Sequence, residues 1–577
     1  MKPFALAGSL AALLAVSASA APARGNDVDV DKLLRSMSLD EKIGQMVQLD
    51  LVIFAEPKSS PIELNLVKLR EALVTYKIGS MINLGTGHAL PRDEWAYVHR
   101  TIQQIVRVGT PHKIPILYGI DSIHGANYVL GSTLFPQQIA MAAARNPELM
   151  QRGAEISALE TRAAGFRWNF APVLDVGRQP LWPRFAETFG EDPYLASVLG
   201  VAAVRGFQGG HDILRAGDSV TISYVPDAGG RTQESTLQVL QDGTIPIAGA
   251  AFVAAGKTEV QLKAALDRAF EKKFHSISVL NVTARRAELS LTVAACAKHY
   301  LGYSFPLSGA DRSPALIPHS YLREYFLPPF REAVKAGVKT VMVNSGEING
   351  MPVHASKYLL TDVLRGELGF QGVIVSDWSD IIRLHTWHRV ADSPAEAVRL
   401  AVDAGLDMSM VPKDYSFFIL LKQLVQEKKI SEKRINQSVR RILQLKADLG
   451  LFDNPDVEPE AAANFGRPEY HQTALAAAEE AMTLLKNQNA ALPLAKSVKV
   501  LVTGPAARSV SALNGCWSYT WQGKDERWYP KDEPTIVDAI REKIGADRVL
   551  YQKGADFDAS TNTTAADAAA TIEKVGS

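Results

Sequence analysis

Several short apolar runs of the chain each end in residues that can carry charge or exchange a proton. These terminal residues are Asp121, Asp175, Lys298-His299, Asn344-Ser345 and Asp377. Each of them alone could be a helix cap or a solvated turn residue. Their repeated position after similar runs instead indicates a single site, in which carboxylates, a base and hydrogen-bonding groups act on one substrate.

The runs themselves have the pattern of buried strands. They cover residues 78–85, 114–121, 166–176, 294–302, 340–348, 372–378 and 405–412, and amphipathic helical stretches separate them. Short strands that are apolar on both faces and alternate with helices are typical of parallel sheets. Seven or eight such units predict an α/β fold of the (β/α)8-barrel type, whose strands end on the rim where chemistry occurs. Before the first run, Val28 to Gln48 is predicted to be one helix.

Bulk composition excludes some classes of partner. The 577 residues suggest two to four domains, and 62 basic residues balance 62 acidic ones. The chain therefore has no net charge that would attract nucleic acid or an anionic membrane, whereas a neutral carbohydrate partner is compatible with this balance.

Residues 1–20 have the layout of a secretory signal peptide, and their apolar run is too short to span a bilayer. We expect an exported bacterial protein, periplasmic or secreted, with no membrane span after cleavage; Cys296 and Cys516 could pair or remain free.

Two segments depart from the strand–helix alternation. Residues 211–290 predict strands, a turn at Asp242-Gly243, a helix and a further strand, and they resemble a module of bacterial polysaccharide-export proteins. We expect a small β-grasp-like α+β insertion, which contacts polysaccharide or another protein, or is only an elaborated loop.

After a linker at 451–470, residues 471–577 predict helices at 478–487, 534–544 and 565–575 and strands at 498–504 and 548–554. Two strands make no stable sheet alone, so this domain is expected to be incomplete.

Six motifs resemble glycoside hydrolase family 3, the β-glucosidase and exo-β-glucanase family. They are LLRSMSLDEKIGQM (33–46), YGIDSIHG (118–125), LWPRFAETFGEDPYL (181–195), AACAKHYLG (294–302), GFQGVIVSDW (369–378) and NGCWSYTWQG (514–523). The resemblance implies a catalytic barrel at 28–210 and 291–450, followed by an α/β sandwich that contributes to the same site. It also implies a retaining exo-acting β-glycosidase that removes terminal non-reducing β-D-glucosyl residues from β-glucosides or β-glucan oligosaccharides.

Site residues follow from the same resemblance. Asp377 matches the nucleophile, which forms a covalent glycosyl-enzyme that water then opens; an N-cap is the plain alternative for an Asp before a helix. Five residues match positions that bind hydroxyls of the terminal sugar, and two tryptophans match the aromatic pair beside the next sugar: Asp121, Arg184, Lys298, His299, Arg383, Trp378 and Trp521. Arg184 could instead pair with Glu187 or Glu191, His299 could be a core histidine, and the tryptophans could fill cores.

Departures from the family pattern concern the remaining roles. Ser345 stands where a tyrosine is common, and Glu347 could reshape that wall, which affects linkage preference. Tyr303 replaces the histidine that the family's N-acetylglucosaminidase branch uses as acid/base, so that branch is excluded. The usual acid/base glutamate is expected beyond residue 577, and Glu573 is interpreted as a solvated helical residue. The chain is therefore expected to be impaired in proton transfer.

Two other functions are consistent with parts of the sequence. A non-catalytic carbohydrate-binding or export-associated protein would account for the insertion and the missing acid. A Schiff-base aldolase would use Lys298, but His299 and the surrounding sugar-site residues argue against it. The sequence has no metal-ligand cluster, phosphate-binding glycine loop or nucleotide fingerprint, so we predict no cofactor and no metal.

Overall fold

The computed structural model describes residues 28–56, 59, 61–209, 219–225, 232–240, 243–247, 250–254, 257, 259–274, 278–285 and 292–554. The predicted signal peptide, the predicted helix at 565–575 and Glu573 lie outside these residues. None of the helices in the described ranges combines the length and the apolar character needed to cross a membrane.

Eight short parallel strands occupy the centre of the chain. They are β1 (Val47–Asp50), β2 (Ser80–Ile82), β3 (Leu117–Ile120), β4 (Trp168–Asn169), β5 (Cys296–Tyr300), β6 (Thr340–Val343), β7 (Val373–Val375) and β8 (Ser409–Met410). Five of them pair in the order β8-β1-β2-β3-β4, and three pair in the order β5-β6-β7. Isolated parallel bridges join the ends of the two sheets, from Trp168 to Ala294, from Val173 to Lys298 and from Val375 to Met408.

Burial explains why these runs form strands. Every residue of the eight strands is buried, as expected when helices cover a parallel sheet. The helices among the strands are amphipathic; in Arg92–Gly109, Trp95, Val98, Ile102 and Ile105 form the buried stripe. The other helices of this part are Leu66–Arg70, Gln138–Ala144, Pro147–Ala163, Pro193–Gln208, His319–Tyr321, Leu327–Lys335, Asp380–Thr386, Pro394–Ala404, Ser416–Gln426 and Glu432–Asp448, with π-helical segments at Glu71–Thr75, Leu322–Phe326 and Tyr358–Glu367.

The prediction of one helix from Val28 to Gln48 is wrong. The segment forms two helices, Val30–Ser36 and Leu39–Gln45, and then enters β1. Ser38 begins the second helix with a capping box: its backbone N–H donates to Glu41 Oε2 at 2.9 Å, and its hydroxyl accepts from the Glu41 N–H at 3.3 Å. A new cap requires extended backbone at Ser38, which interrupts the helix although the apolar spacing continues across it.

The inserted segment has a hydrophobic core of its own. Its strands are Ser219–Val225, Gln233–Gln238, Thr244–Ile247, Ala250–Val253 and Ser278–Arg285, and its helix is Glu259–Phe274. Ser219–Val225 lies between Gln233–Gln238 and Ser278–Arg285 in an antiparallel sheet. Val220, Ile222, Leu262 and Leu266 belong to a buried cluster separate from the main core. The pattern predicted two strand regions before the helix, where the structure has four strands; Asp242 of the predicted turn lies outside the described residues.

The segment after residue 450 is less regular than predicted. It contains the helices Pro459–Ala462, Pro468–Ala481, Val510–Asn514 and Ile536–Ile544, and the parallel strands Val500–Thr503 and Val549–Gln552. The helix predicted at 478–487 does not form as such, because the preceding helix ends at Ala481 and Met482 is extended. Met482 and Leu485 are 80% and 90% exposed, so packing within the described residues does not support a helix there.

Candidate active site

The residues that end the apolar runs meet at the carboxyl ends of the parallel strands. Asp121 follows β3, Lys298 and His299 lie near the end of β5, Ser345 follows β6 and Asp377 follows β7. Parallel strands end on the same side of a sheet, so separate segments deliver their side chains to one place. Their side chains form one cluster, in which Asp377 lies next to Ser345 and His299, and Asp121 lies next to Lys298.

Asp377 is the centre of this cluster and is fixed by hydrogen bonds. Its Oδ2 accepts from the Ser345 hydroxyl at 2.5 Å, and its Oδ1 accepts from the Trp378 N–H at 2.5 Å. Its own N–H donates to His354 Nε2 at 3.2 Å. Burial lowers the pKa of His354 to about 3, so this imidazole is neutral and can accept. The carboxylate is only 8% exposed and is therefore both oriented and shielded.

Cationic and polar neighbours keep Asp377 ionised despite its burial. Burial alone would raise its pKa, but the charges of Arg312 and Arg184 together with the Ser345 hydrogen bond hold the pKa well below the usual range. Arg312 Nη2 lies 3.9 Å from Asp377 Oδ1, and His299 Nε2 lies 3.9 Å from Oδ2. A buried, oriented and ionised carboxylate has the properties that a carboxylate nucleophile requires.

His299 is held by Asp175. The Asp175 Oδ2 atom accepts from the His299 backbone N–H at 3.0 Å and lies 2.7 Å from Nδ1. Burial lowers the pKa of His299 well below its usual value and raises the pKa of Asp175 to about 8. The imidazole is therefore uncharged at neutral pH, and its Nε2 faces Asp377. His299 therefore has a buried partner, Asp175, as expected of a core histidine. It also lies in the site, next to Asp377.

Lys298 and Asp121 form a buried ion pair. Lys298 Nζ lies 2.6 Å from Asp121 Oδ1, and the two side chains are 2% and 10% exposed. Burial raises the pKa of Asp121, and Lys298 opposes that change. Nζ also lies 5.3 Å from the ring centroid of Trp517. The pair thus links the β3 and β5 ends to the segment 514–523.

Arg184 forms an ion pair with Glu187, one of the two partners that the sequence offered for it. Its Nε and Nη2 donate to the two carboxylate oxygens of Glu187 at 2.9 and 2.7 Å. The guanidinium carbon also lies 6.0 Å from the Trp182 ring and 5.7 Å from the Tyr303 ring. The Arg184 charge acts on Asp377 as well, so the pairing with Glu187 does not remove it from the site.

Arg383 and Trp378 lie on the helix side of the site. Arg383 Nη1 donates to the Trp378 carbonyl at 2.9 Å and to Asp380 Oδ1 at 2.5 Å. Trp378 is half-buried and packs against the main core. Burial and the neighbouring Asp377 carboxylate raise the pKa of Asp380 to about 6, against the two arginines that contact it.

The segment 514–523 docks on the strand-end loops. Gln137 Nε2 donates to the carbonyls of Asn514 and Cys516 at 2.9 and 2.8 Å. The Ser518 hydroxyl lies 3.1 Å from His124 Nε2; His124 Nδ1 lies 2.7 Å from the Phe135 carbonyl and must donate there, so Nε2 accepts from Ser518. This docking brings Trp517, 8% exposed, beside Lys298.

Trp521 lies at the outer edge of the docked segment. It is 62% exposed, and its ring centroid is 6.4 Å from that of Trp517. Cys296 and Cys516 are both free thiols. In the part of the chain that the structure describes, no group of three or more His, Cys, Asp or Glu side chains could hold a metal ion.

Sequence reasoning missed several residues of this site, among them His354, Asp380, Arg312 and Trp517. Arg312 lies in the irregular segment between β5 and the helix at 319, where no periodicity marks it, although the charged pair Asp311-Arg312 stands out in an otherwise uncharged stretch. Trp517 lies in the motif at 514–523, in which the family resemblance points to Trp521 instead. The structure gives Trp517 the closer contact with the ion pair, and Trp521 the exposed position.

Two family models and several known proteins match this chain. The model of the glycosyl hydrolase family 3 N terminal domain matches residues 38–220 and 255–445, and that of the family's C-terminal domain matches residues 482–576. A lysosomal beta glucosidase of Dictyostelium discoideum is 42% identical over 94% of this chain and 59% of its own length. A periplasmic beta-glucosidase of Salmonella typhimurium is 28% identical over 92% of this chain and 56% of its own.

A solved structure is similar over almost the whole chain. The crystal structure of a beta-glucosidase from Listeria innocua in complex with glucose has a TM-score of 0.70 and 27% identity, and the match covers 96% of this chain and 63% of that one. The chain thus spans about six tenths of the length of these relatives. The family model leaves residues 221–254 unmatched, inside the inserted segment.

Proposed function

Because the chain belongs to glycosyl hydrolase family 3, we propose that it is a retaining, exo-acting β-glucosidase with Asp377 as its nucleophile. The supporting observation is the state of Asp377, an ionised carboxylate at a strand end that Ser345 and the Trp378 N–H orient. Its attack on the anomeric carbon would give a covalent glycosyl-enzyme, and a second displacement would restore the configuration. The substrates are terminal non-reducing β-D-glucosyl units of β-glucosides or β-glucan oligosaccharides.

The architecture proposed for this activity is a (β/α)8-type barrel. The bridges Trp168–Ala294, Val173–Lys298 and Val375–Met408 support it, because they connect the two parallel sheets at both ends. The barrel would comprise residues 28–210 and 291–450, interrupted by the α+β module at 211–290. Residues 451–470 would be a linker and 471–577 part of an α/β sandwich. The separate core at Val220 and Leu262 supports the module boundary.

The other site residues are proposed to recognise the sugar. Asp121, Lys298, His299, Arg184 and Arg383 would bind hydroxyls, since charged donors and acceptors discriminate hydroxyl orientation strongly. The contacts of Arg383 with Asp380 and the Trp378 carbonyl favour an additional supporting role. Trp378 and Trp521 would flank the next sugar, where ring faces stack on apolar sugar faces. A structure of the Listeria innocua enzyme mutant holds laminaribiose, a finding that concerns that protein.

Export to the periplasm or the medium is proposed together with this activity. The predicted signal peptide supports it, and one relative is named as periplasmic and another as lysosomal. The inserted module is proposed to contact polysaccharide or another protein.

Release of dinitrophenolate from an activated glucoside tests the proposed function. Dinitrophenyl β-glucoside loses a phenolate that needs no protonation, so formation of the glycosyl-enzyme reports on the nucleophile without a general acid. We expect the purified protein to release at least one equivalent of dinitrophenolate and to gain one sugar. Asp377→Asn should abolish this release, whereas Asp392→Asn, the same change at an exposed aspartate of the loop after residue 386, should leave it unchanged. No release by the unaltered chain would contradict the proposal and favour a carbohydrate-binding protein.

A further inference from the structure

Arg312 is held in an unusual backbone conformation next to the nucleophile. Its φ is +60°, a left-handed value that a residue with a large side chain rarely adopts. The preceding Asp311 accepts from Trp182 Nε1 at 3.0 Å, and Leu307 N–H donates to the Pro314 carbonyl at 2.8 Å, so the loop is closed and anchored. Backbone conformations of this kind persist where the surrounding structure enforces them, often at functional sites.

The guanidinium of Arg312 lies between two carboxylates. Nη1 is 2.6 Å from Asp380 Oδ1, a direct hydrogen bond, whereas Nη2 is 3.9 Å from Asp377 Oδ1, too long for one. The side chain is 24% exposed, so solvent reaches part of it. Asp380 thus fixes a cation near Asp377, and that cation makes no direct hydrogen bond to the Asp377 carboxylate.

We propose that Arg312 is a positioning residue that assists the departure of Asp377 from the glycosyl-enzyme. This inference deepens the proposed function and rests on it. In the first step an Asp377 oxygen bonds to C1 while the C1–O bond to the leaving group breaks, and Asp377 becomes a neutral ester. In the second step a nucleophile bonds to C1, the bond from C1 to Asp377 breaks, and its electron pair returns to the carboxylate. A fixed cation stabilises the charge that reappears in that second step.

The same cation does not favour the first step, because it stabilises the carboxylate before it attacks. Arg312 should therefore affect the two steps unequally, which a merely structural role would not do. Other charged or titratable groups also face Asp377, and the variants leave them in place: Arg184, His299, His354, Tyr303, Asp121 and Asp380.

Separate rates for the two steps test this proposal. Dinitrophenyl 2-fluoro-β-glucoside forms the adduct with loss of dinitrophenolate, and the labelling rate follows from the phenolate released. Sodium azide then releases the sugar as 2-fluoroglucosyl azide and frees the Asp377 carboxylate, a displacement in which no proton moves. Neither step needs a general acid or base, so both rates report on Asp377 and its neighbours.

For Arg312→Met we expect azide reactivation to slow by roughly 10- to 100-fold, with labelling changed only a few-fold. Arg312→Lys keeps a cation and should fall between the two proteins; it serves as the test if the methionine variant does not fold. Arg331→Met, at an arginine whose side chain is 46% exposed, is the matched control and should behave as the unaltered chain does. Equal slowing of both steps, or unchanged reactivation, would overturn the role of Arg312. Failure of the unaltered chain to form any adduct would instead overturn the proposed function.

Discussion

Replacing Lys298 by methionine should destabilise the protein by leaving Asp121 buried without its cation. The two groups are 2.6 Å apart, and their side chains are 2% and 10% exposed, so solvent screens the pair little. Breaking a buried pair by removing one partner costs about 3–5 kcal/mol, because an uncompensated charge remains. Methionine retains most of the volume of the lysine stem, so the cost should be mainly electrostatic.

This destabilisation should depend on pH. Burial already raises the pKa of Asp121, and without Lys298 the pKa should rise further. The folded protein then retains a proton that the unfolded chain releases, so stability falls as pH rises above the ordinary aspartate value of about 4. We therefore expect the variant to be weakened more at neutral pH than near pH ~4.

Urea unfolding followed by tryptophan fluorescence measures the effect. The double variant Lys298→Met/Asp121→Asn removes both charges and should recover most of the lost stability at neutral pH, while activity on the activated glucoside stays low in both variants. Recovery of stability without activity would separate the structural and substrate-binding roles of the pair. If Lys298→Met unfolded at the same urea concentration as the unaltered chain, the reasoning from a buried, unscreened pair would be refuted.

Two further changes address the nucleophile and the docked segment. Ser345→Ala removes the 2.5 Å hydrogen bond that orients Asp377 and should lower kcat/KM for the activated glucoside by roughly 10-fold; an unchanged kcat/KM would contradict this. Gln137→Ala removes two hydrogen bonds to the segment 514–523 and should expose Cys516, so that a thiol reagent labels it several-fold faster, as mass spectrometry can measure. Equal labelling rates in the variant and the unaltered chain would show that Gln137 does not hold the segment. Cys296 is buried and serves as an internal reference.

The convergence of the site was predictable because it follows from strand topology. Asp121, Lys298, Ser345 and Asp377 follow or end apolar runs, and the ends of parallel strands lie together whatever the loops between them do. The alternation of apolar runs with amphipathic stretches is enough to predict parallel strands and therefore where their ends lie. The α/β character and the family resemblance were therefore recoverable from the sequence alone.

Contacts made by irregular segments were not predictable in the same way. Arg312 lies in an anchored loop and itself has a left-handed backbone conformation. No periodicity in the sequence encodes such a position. The two effects of Arg184 also required the structure, because it forms an ion pair with Glu187 while its charge still lowers the pKa of Asp377. β1 was missed because helical spacing continues across the Ser38 cap, and only the capping geometry reveals the break.

The most direct test of the nucleophile assignment is the site of covalent labelling. After reaction with dinitrophenyl 2-fluoro-β-glucoside, the protein is digested and the modified peptide is sequenced by mass spectrometry. We expect the added sugar on Asp377, in the peptide that contains Val373–Val375, and no label in Asp377→Asn. Label on another carboxylate, such as Asp121, Asp175 or Asp380, would contradict the assignment.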